Sequence, residues 1–152
     1  MMGTPYGIGV FQWLSPLGVP CSQPPYGDVM AVDLKSRKMV WQSPAGTVAQ
    51  SGPLGMRTHL SMPVGLPAYA GPMVTAGGLV FFAGYQDNTF RAYDAQSGEE
   101  LWHYALPVGS SATPMSYVSP KTGRQYVLLS VGGAAHATPT SDLVMAFALP
   151  TH

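Results

Sequence analysis

One segment recurs along this chain at a fixed interval, and that recurrence limits the folds open to it more than any other feature. Asp28 to Trp41, DVMAVDLKSRKMVW, aligns without a gap on Thr89 to Trp102, TFRAYDAQSGEELW, so that Ala31 falls on Ala92, Asp33 on Asp94 and Trp41 on Trp102. Each pair is 61 positions apart by subtraction of the residue numbers. Arg37 stands in the first copy where Gly98 stands in the second, and Asp142 to Phe147 is a weaker third echo that keeps the strand and loses the turn. Each copy reads as strand, turn, strand. The Asp is placed to bond its own backbone and the Gly to take positive φ. Hairpin repeats of about 40 to 50 residues build β-propeller blades, each a small antiparallel sheet. The longer interval implies a blade with an inserted loop. The motif has a physical use: Trp covers the neighbouring blade while Asp and Gly fix the tight turn beneath it.

The second copy extends backwards to Gly77. Leu79 to Ala83 is a continuous apolar run of strand length, and Gly-Tyr-Gln-Asp-Asn after it is polar turn chemistry. From Thr89 to Tyr93 the side chains alternate, which predicts a half-buried strand with Phe90 and Ala92 on one face and Arg91 and Tyr93 on the other. Further hairpins are expected from Asp28–Asp33 with Met39–Ser43 and from Thr113–Val118 with Arg124–Val131. Short strands are expected at Pro72–Thr75 and Asp142–Leu149, and no segment shows helical periodicity. The fold class is all-β, a partial propeller of antiparallel four-stranded blades in a single unit, 1–152, of about two to three blades.

Composition bears on what surrounds these sheets. Charged residues are 9 % of the chain, against about 25 % in an average soluble domain, while 18 Gly and 15 Pro mark long ordered loops. Scarce charge predicts a surface that meets protein as much as water. The formal net charge is zero, without a basic patch, which argues against nucleic acid as a partner. No apolar run is long enough to span a bilayer, and Met1-Met2 runs into Gly-Thr-Pro-Tyr-Gly without the pattern of a signal peptide. The expectation is a fragment of a closed architecture, because open blades would expose sheet faces.

Two Pro- and Gly-rich loops, Gly3 to Gly27 and Pro44 to Pro67, have the length of segments that cover something, and a lid or inter-blade crossover is expected of the first. Phe11, Trp13 and Leu14 form its apolar cluster. His59, His103, His136 and His152 are scattered without metal-ligand spacing, no Gly-x-Ser-x-Gly elbow is present, and dinucleotide and Walker glycines are absent. Gly132-Gly133, at the end of a buried strand, serves either as a plain turn or as a close backbone approach to a flat ligand over the propeller axis. Asp87-Asn88 reads first as a turn pair, Tyr69 and Trp13 as packing residues, and the lone Cys21 as structural or buried.

Together GTPYGIGVFQWLSPLGVPCSQPPYG, AVDLKSRKMVW, FFAGYQDNTFRAYDAQSGEELW and SATPMSYVSPKTGRQYVLLSVGG resemble the C-terminal part of the membrane-bound pyrroloquinoline-quinone (PQQ)-dependent dehydrogenases of the glucose/quinate/shikimate type. The resemblance runs from Gly3 to Pro150. It implies an eight-bladed propeller docked by tryptophan motifs, and oxidation of a sugar or cyclic polyol hydroxyl on the periplasmic side of the bacterial inner membrane. Electrons would pass through PQQ to ubiquinone. The anchor, the catalytic base and the ligands of a Ca or Mg ion would lie outside this chain, leaving no catalytic residue here and an inactive fragment. The remainder of the propeller becomes an implied partner. Gly132, Gly133 and Ala134 match the cofactor-side Gly-Gly-x segment. Asp87 matches an acidic position near the same pocket, and Tyr69 falls where related alcohol-oxidising quinoproteins place a cofactor-facing Trp. Glucose enzymes tend to carry His directly after the glycines; Ala134 stands there, with His136 two residues on as a candidate substrate contact, which moves the expectation from glucose toward a quinate-like polyol. The rival is a non-enzymatic propeller scaffold that binds no quinone.

Overall fold

In the structure, a computed structural model, residues 3, 5–7, 9, 11, 13–50, 52–133 and 139–150 are described. They form nine strands: β1 (Asp28–Asp33), β2 (Lys38–Pro44), β3 (Met73–Val74), β4 (Leu79–Ala83), β5 (Thr89–Asp94), β6 (Glu100–Ala105), β7 (Met115–Val118), β8 (Gln125–Val131) and β9 (Leu143–Phe147). The strands make three antiparallel sheets of sequential neighbours, β1-β2, β3-β4-β5-β6 and β7-β8-β9. Pro53–Gly55 is a single 3-10 turn, the one helical element among the described residues. No described helix is long and apolar enough to cross a membrane.

The repeat in the sequence is a repeat in the backbone. Pairing slips by one residue between Ala31 and Val32 in the first hairpin, and between the equivalent Ala92 and Tyr93 in the second. Asp33 Oδ1 accepts from the Lys35 and Ser36 amides at 2.8 and 2.7 Å, and Asp94 Oδ1 accepts from the Gln96 and Ser97 amides at 2.8 Å each. These donors favour the ionised form, the Ser36 amide foremost for Asp33 and the Ser97 amide for Asp94, and hold both carboxyls below the usual carboxylate range. Gly98 closes its turn at φ +75°, and Arg37 adopts the same left-handed conformation at φ +57° despite its Cβ.

Trp41 joins the first sheet to the second. Its indole N–H donates to the Ala95 carbonyl at 3.0 Å, inside the turn of the next repeat. Trp102 makes the corresponding reach toward the third sheet, edge-on to Phe147 with ring centroids 5.7 Å apart.

The middle sheet is packed on both faces. Val80, Phe82 and Tyr93 meet Val29 and Ala45 of the first unit. Ala83 and Phe90 meet Leu129 and Val131 of the third, with Leu106 and Val108 from the loop after β6. A large apolar side chain fully buried in such a seam contributes about 1.5–3 kcal/mol. The alternation along Thr89–Tyr93 is present, but the strand is not half-buried: Phe90, Arg91, Ala92 and Tyr93 are all buried, because each face has a sheet against it. The outer faces differ. Met30, Val32 and Val40 on the first sheet, and Met115, Tyr117 and Val144 on the third, are exposed.

Candidate functional site

The loops at one end of the three sheets are tied to one another. Gly84 to Asn88 connects β4 to β5, residues 106–112 leave β6, and Gly132-Gly133 leaves β8. Gly133 donates its N–H to the Gly109 carbonyl at 2.9 Å, and a parallel bridge joins Gly133 to Ser110. Ser110 is fully buried, and its hydroxyl donates to the Ser130 carbonyl at 2.7 Å. Gly109 in turn lies against the Tyr85 backbone, where a Cβ would fall 2.0 Å from the Tyr85 carbonyl oxygen. The Tyr85 ring stacks on Tyr69, with centroids 5.3 Å apart and planes inclined by 21°.

Beneath the tyrosines lies an ion cluster. Asp87, 2 % exposed, pairs with the Arg91 guanidinium and accepts the Thr47 amide at 3.2 Å, so one carboxylate binds the exit of β2 to the middle sheet. Arg91, 4 % exposed, also donates through Nε to Glu100 at 3.1 Å, and Glu100 meets His103 Nδ1 at 2.8 Å. Burial pulls the guanidinium pKa down, but the hydrogen bond and charge of Asp87 more than offset it and the value rises above that of an ordinary arginine. Asp87 Oδ1 and Arg91 Nη1 are buried without a hydrogen-bond partner among the described residues. The turn pair of the sequence is thus a buried brace for the turn that carries Tyr85 and Gln86.

Above that turn is a cavity of about 350 Å³, walled by Trp13, Val48, Leu66, Tyr69 and Gln86. The opening loop reaches over it, closed by an antiparallel bridge between Leu14 and Pro20 and tied to the 3-10 turn by the Leu54 amide, which donates to the Leu17 carbonyl at 2.6 Å. Trp13 and Tyr69 are not packed away as expected: they are 78 % and 68 % exposed. Cys21 is also exposed, since it sits on this surface loop and not under a sheet. A larger cavity, about 490 Å³, runs beside Asp28, Met30, Pro72 and Phe82 along the edge of β1 that pairs with no described strand.

Of the residues singled out in the sequence, Tyr69, Asp87, Gly132 and Gly133 come to this one end. Ala134 and His136 lie outside the described residues. Arg91, Thr47, Tyr85, Gln86 and Gly109 were missed. Four-residue spacing of Asp87 and Arg91 signals pairing on a helix and not across a turn into a strand, and Thr47 and Gly109 act through the backbone and leave no side-chain signal. Among the described residues no group of three or more His, Cys, Asp or Glu is placed to hold a metal ion.

Comparison with known proteins decides the family. The family described as PQQ: glucose/ethanol/alcohol dehydrogenase, beta-propeller domain, matches residues 1–127. The chain belongs to that family. Among its relatives, the quinate/shikimate dehydrogenase (quinone) of Acinetobacter baylyi is 50 % identical over 98 % of this chain and 18 % of its own length. A probable quinate dehydrogenase (quinone) of Xanthomonas campestris pv. juglandis is 50 % identical over 99 % of this chain and 19 % of its own. The quinoprotein glucose dehydrogenase of Escherichia coli is 42 % identical over 97 % and 18 %. The chain therefore spans less than a fifth of these relatives. The solved quinohemoprotein alcohol dehydrogenase of Comamonas testosteroni superposes with a TM-score of 0.50 at 31 % identity, covering 75 % of this chain and 14 % of that one. The three stacked sheets of this PQQ-family chain are part of a β-propeller.

Proposed function

We propose that this chain forms one wall of the cofactor end of a PQQ-dependent dehydrogenase that oxidises a cyclic polyol of the quinate/shikimate type. The observation that carries the reading is the convergence of Tyr69, Tyr85, Gly109 and Gly133 at one end of three stacked sheets. PQQ is a flat, electron-poor ring bearing carboxylates, and it supplies the redox step by accepting two electrons from a substrate carbinol. The residues present fit one edge of such a ring. Gly132 and Gly133 present backbone without side chains, and Tyr69, backed by Tyr85, presents an aromatic face. Asp87 acts from below by fixing the turn that carries Tyr85.

Arg91 is engaged by Asp87 and Glu100. Cationic partners for the PQQ carboxylates, the catalytic base and the Ca or Mg ligands accordingly belong to the rest of an eight-bladed propeller, stacked on the exposed apolar faces of the first and third sheets. Identity to quinate dehydrogenases, 50 % against 42 % for the E. coli glucose enzyme, and Ala134 after the glycine pair favour a quinate-like substrate. Delivery of electrons to ubiquinone from the periplasmic face completes the proposal. These blades are expected to be inactive by themselves.

The test is reconstitution of the full-length protein with PQQ and Ca or Mg, followed by dye reduction with quinate, shikimate and glucose. Quinate- or shikimate-dependent reduction supports the reading. Saturable PQQ binding with glucose as the sole substrate would overturn the substrate assignment, and absence of quinone binding would leave the scaffold alternative.

A further inference from the structure

The two longest loops, Gly3 to Gly27 and Pro44 to Pro67, together carry one formally charged residue, Arg57. The hairpin turns at the other end of the sheets are the reverse: Asp33, Lys35, Arg37 and Lys38 lie about the first, Asp94 and Glu99 about the second, and Lys121 in the third. The uncharged loops do not hide their apolar side chains. Phe11, Trp13, Leu17, Leu54, Met56 and Leu60 are all exposed. The loops lie side by side, since the Leu54 amide donates to the Leu17 carbonyl and Trp13 and Pro53 wall the same cavity. The result is one apolar surface at one end of the molecule, larger than the scattered apolar residues of an ordinary exterior.

The backbone beneath that surface asks little of water. Amides of Ser15 and Cys21 donate to the Val19 and Trp13 carbonyls at 2.8 and 3.2 Å, and those of Met56 and His59 to Pro53 and Ala49 at 3.1 and 3.0 Å. Five prolines in the first loop and four in the second have no N–H to satisfy. Closed backbone bonds, outward Leu, Met and aromatic side chains and no carboxylate suit the boundary between lipid headgroups and acyl chains, where apolar side chains are buried and anionic phosphates repel acids. An indole such as Trp13 is favoured at that depth. Arg57, between Met56 and Leu60, is exposed and makes no ion pair among the described residues, so its stem can lie in the apolar layer with the guanidinium on a lipid phosphate. The rest of a propeller has the outer faces of the first and third sheets to stack on, and these loops leave the strand ends instead. We infer that the loop end, led by Phe11, Trp13, Leu17, Leu54 and Met56, is a docking surface for an anionic lipid bilayer. This rests on the membrane-face setting proposed above and adds the residues that touch the lipid.

The test places p-benzoylphenylalanine singly at Leu17, Leu54 and Leu34 of the full-length protein in vesicles of phosphatidylethanolamine and phosphatidylglycerol, and reads adduct masses after irradiation. Leu34, in the turn at the far end, is 88 % exposed, more than Leu17 at 53 % or Leu54 at 65 %, so it controls for exposure alone. The first two positions are expected to give phospholipid adducts about tenfold above the third. Adducts at Leu17 and Leu54 with other segments of the same chain or with a second copy, or lipid labelling no greater than at Leu34, would overturn the inference. Flotation separates this from the setting it rests on. Protein that floats but labels lipid no better at the two loop positions than at Leu34 overturns the docking surface and leaves the membrane setting, and protein that does not float overturns both. Where one variant does not fold, Met56 or Leu60 takes its place with the same readout. Lipid adducts in a protein that binds no PQQ would sink the dehydrogenase reading and leave this one standing.

Discussion

The Trp41 ring lies so close over Gly98 that a Cβ added at residue 98 would meet two of its ring carbons at 2.5 Å. Trp41 ends one copy of the repeated motif and Gly98 lies in the turn of the next, and their contact is how one sheet is seated on its neighbour. Gly98 also sits at φ +75°, where an L-residue is strained. Gly98→Ala therefore suffers twice, from backbone strain and from overpacking, and should lose about 2–4 kcal/mol in urea unfolding. A loss under about 0.5 kcal/mol would mean that the seam is looser than this contact implies.

Arg37 occupies the corresponding turn position at φ +57° with a Cβ that glycine lacks. Arg37→Gly should relieve that strain and raise stability by about 0.5–1 kcal/mol, less than the full left-handed cost because glycine also loosens the unfolded chain. Paired thermal and urea unfolding checks the sign.

The Asp87–Arg91 pair joins two buried groups, so removing Asp87 leaves a buried guanidinium that keeps, among the described residues, the partly exposed Glu100 as its ion-pair partner. Asp87→Ala should cost about 3–5 kcal/mol, and the double variant Asp87→Ala/Arg91→Met less than the sum of its parts. Because both side chains are buried, raising salt to 1 M should leave the coupling largely intact, whereas a coupling that vanished in salt would place the pair in solvent.

Tyr93 is 1 % exposed, and its hydroxyl has no hydrogen-bond partner among the described residues. Burial, opposed by Arg91 and reinforced by Glu100 and Asp87, pushes its pKa from 10.0 up to about 12. Between those values the unfolded chain has lost the proton that the folded chain keeps, so stability falls as pH rises from about 10 to about 12. Tyr93→Phe should remove this alkaline slope and, by removing an unpaired buried hydroxyl, leave stability at pH 7 equal or higher. Unfolding midpoints from pH 7 to 11.5 for both proteins test it.

The hairpins were legible because their signals are local: an Asp that bonds its own turn, a run of alternating or continuous apolar residues, a Trp at a fixed distance. Even the change at Arg37 left the turn recognisable, since Asp33 still caps it. Burial was less legible. Thr89–Tyr93 alternates like a strand with one wet face, and only the third sheet and Trp41's unit, distant in sequence, show that both faces are covered. The site was legible in part. The glycine pair at the end of β8 drew notice to Gly133 and the family likeness to Tyr69, and the structure brings both to one end, whereas Gly109 and Thr47 contribute an open Cα position and an amide, which carry no mark in a sequence. Trp13 read as a packing residue because large aromatics usually are, and its exposure is a property of the loop that holds it.

In the proposed function Gly133 and its neighbours form a wall for a flat quinone. The most direct measurement is a PQQ titration of the full-length apoprotein, wild type beside Gly133→Ala, followed by absorbance and fluorescence. Gly133 sits at φ +82°, and a Cβ there would fall 2.8 Å from the Pro139 carbonyl oxygen, so this variant disturbs the strand end at its closest approach. Wild type should bind saturably and Gly133→Ala at least about tenfold more weakly, the weight of roughly 1.4 kcal/mol. Equal affinities in two folded proteins, or no saturable binding by the wild type, would contradict it.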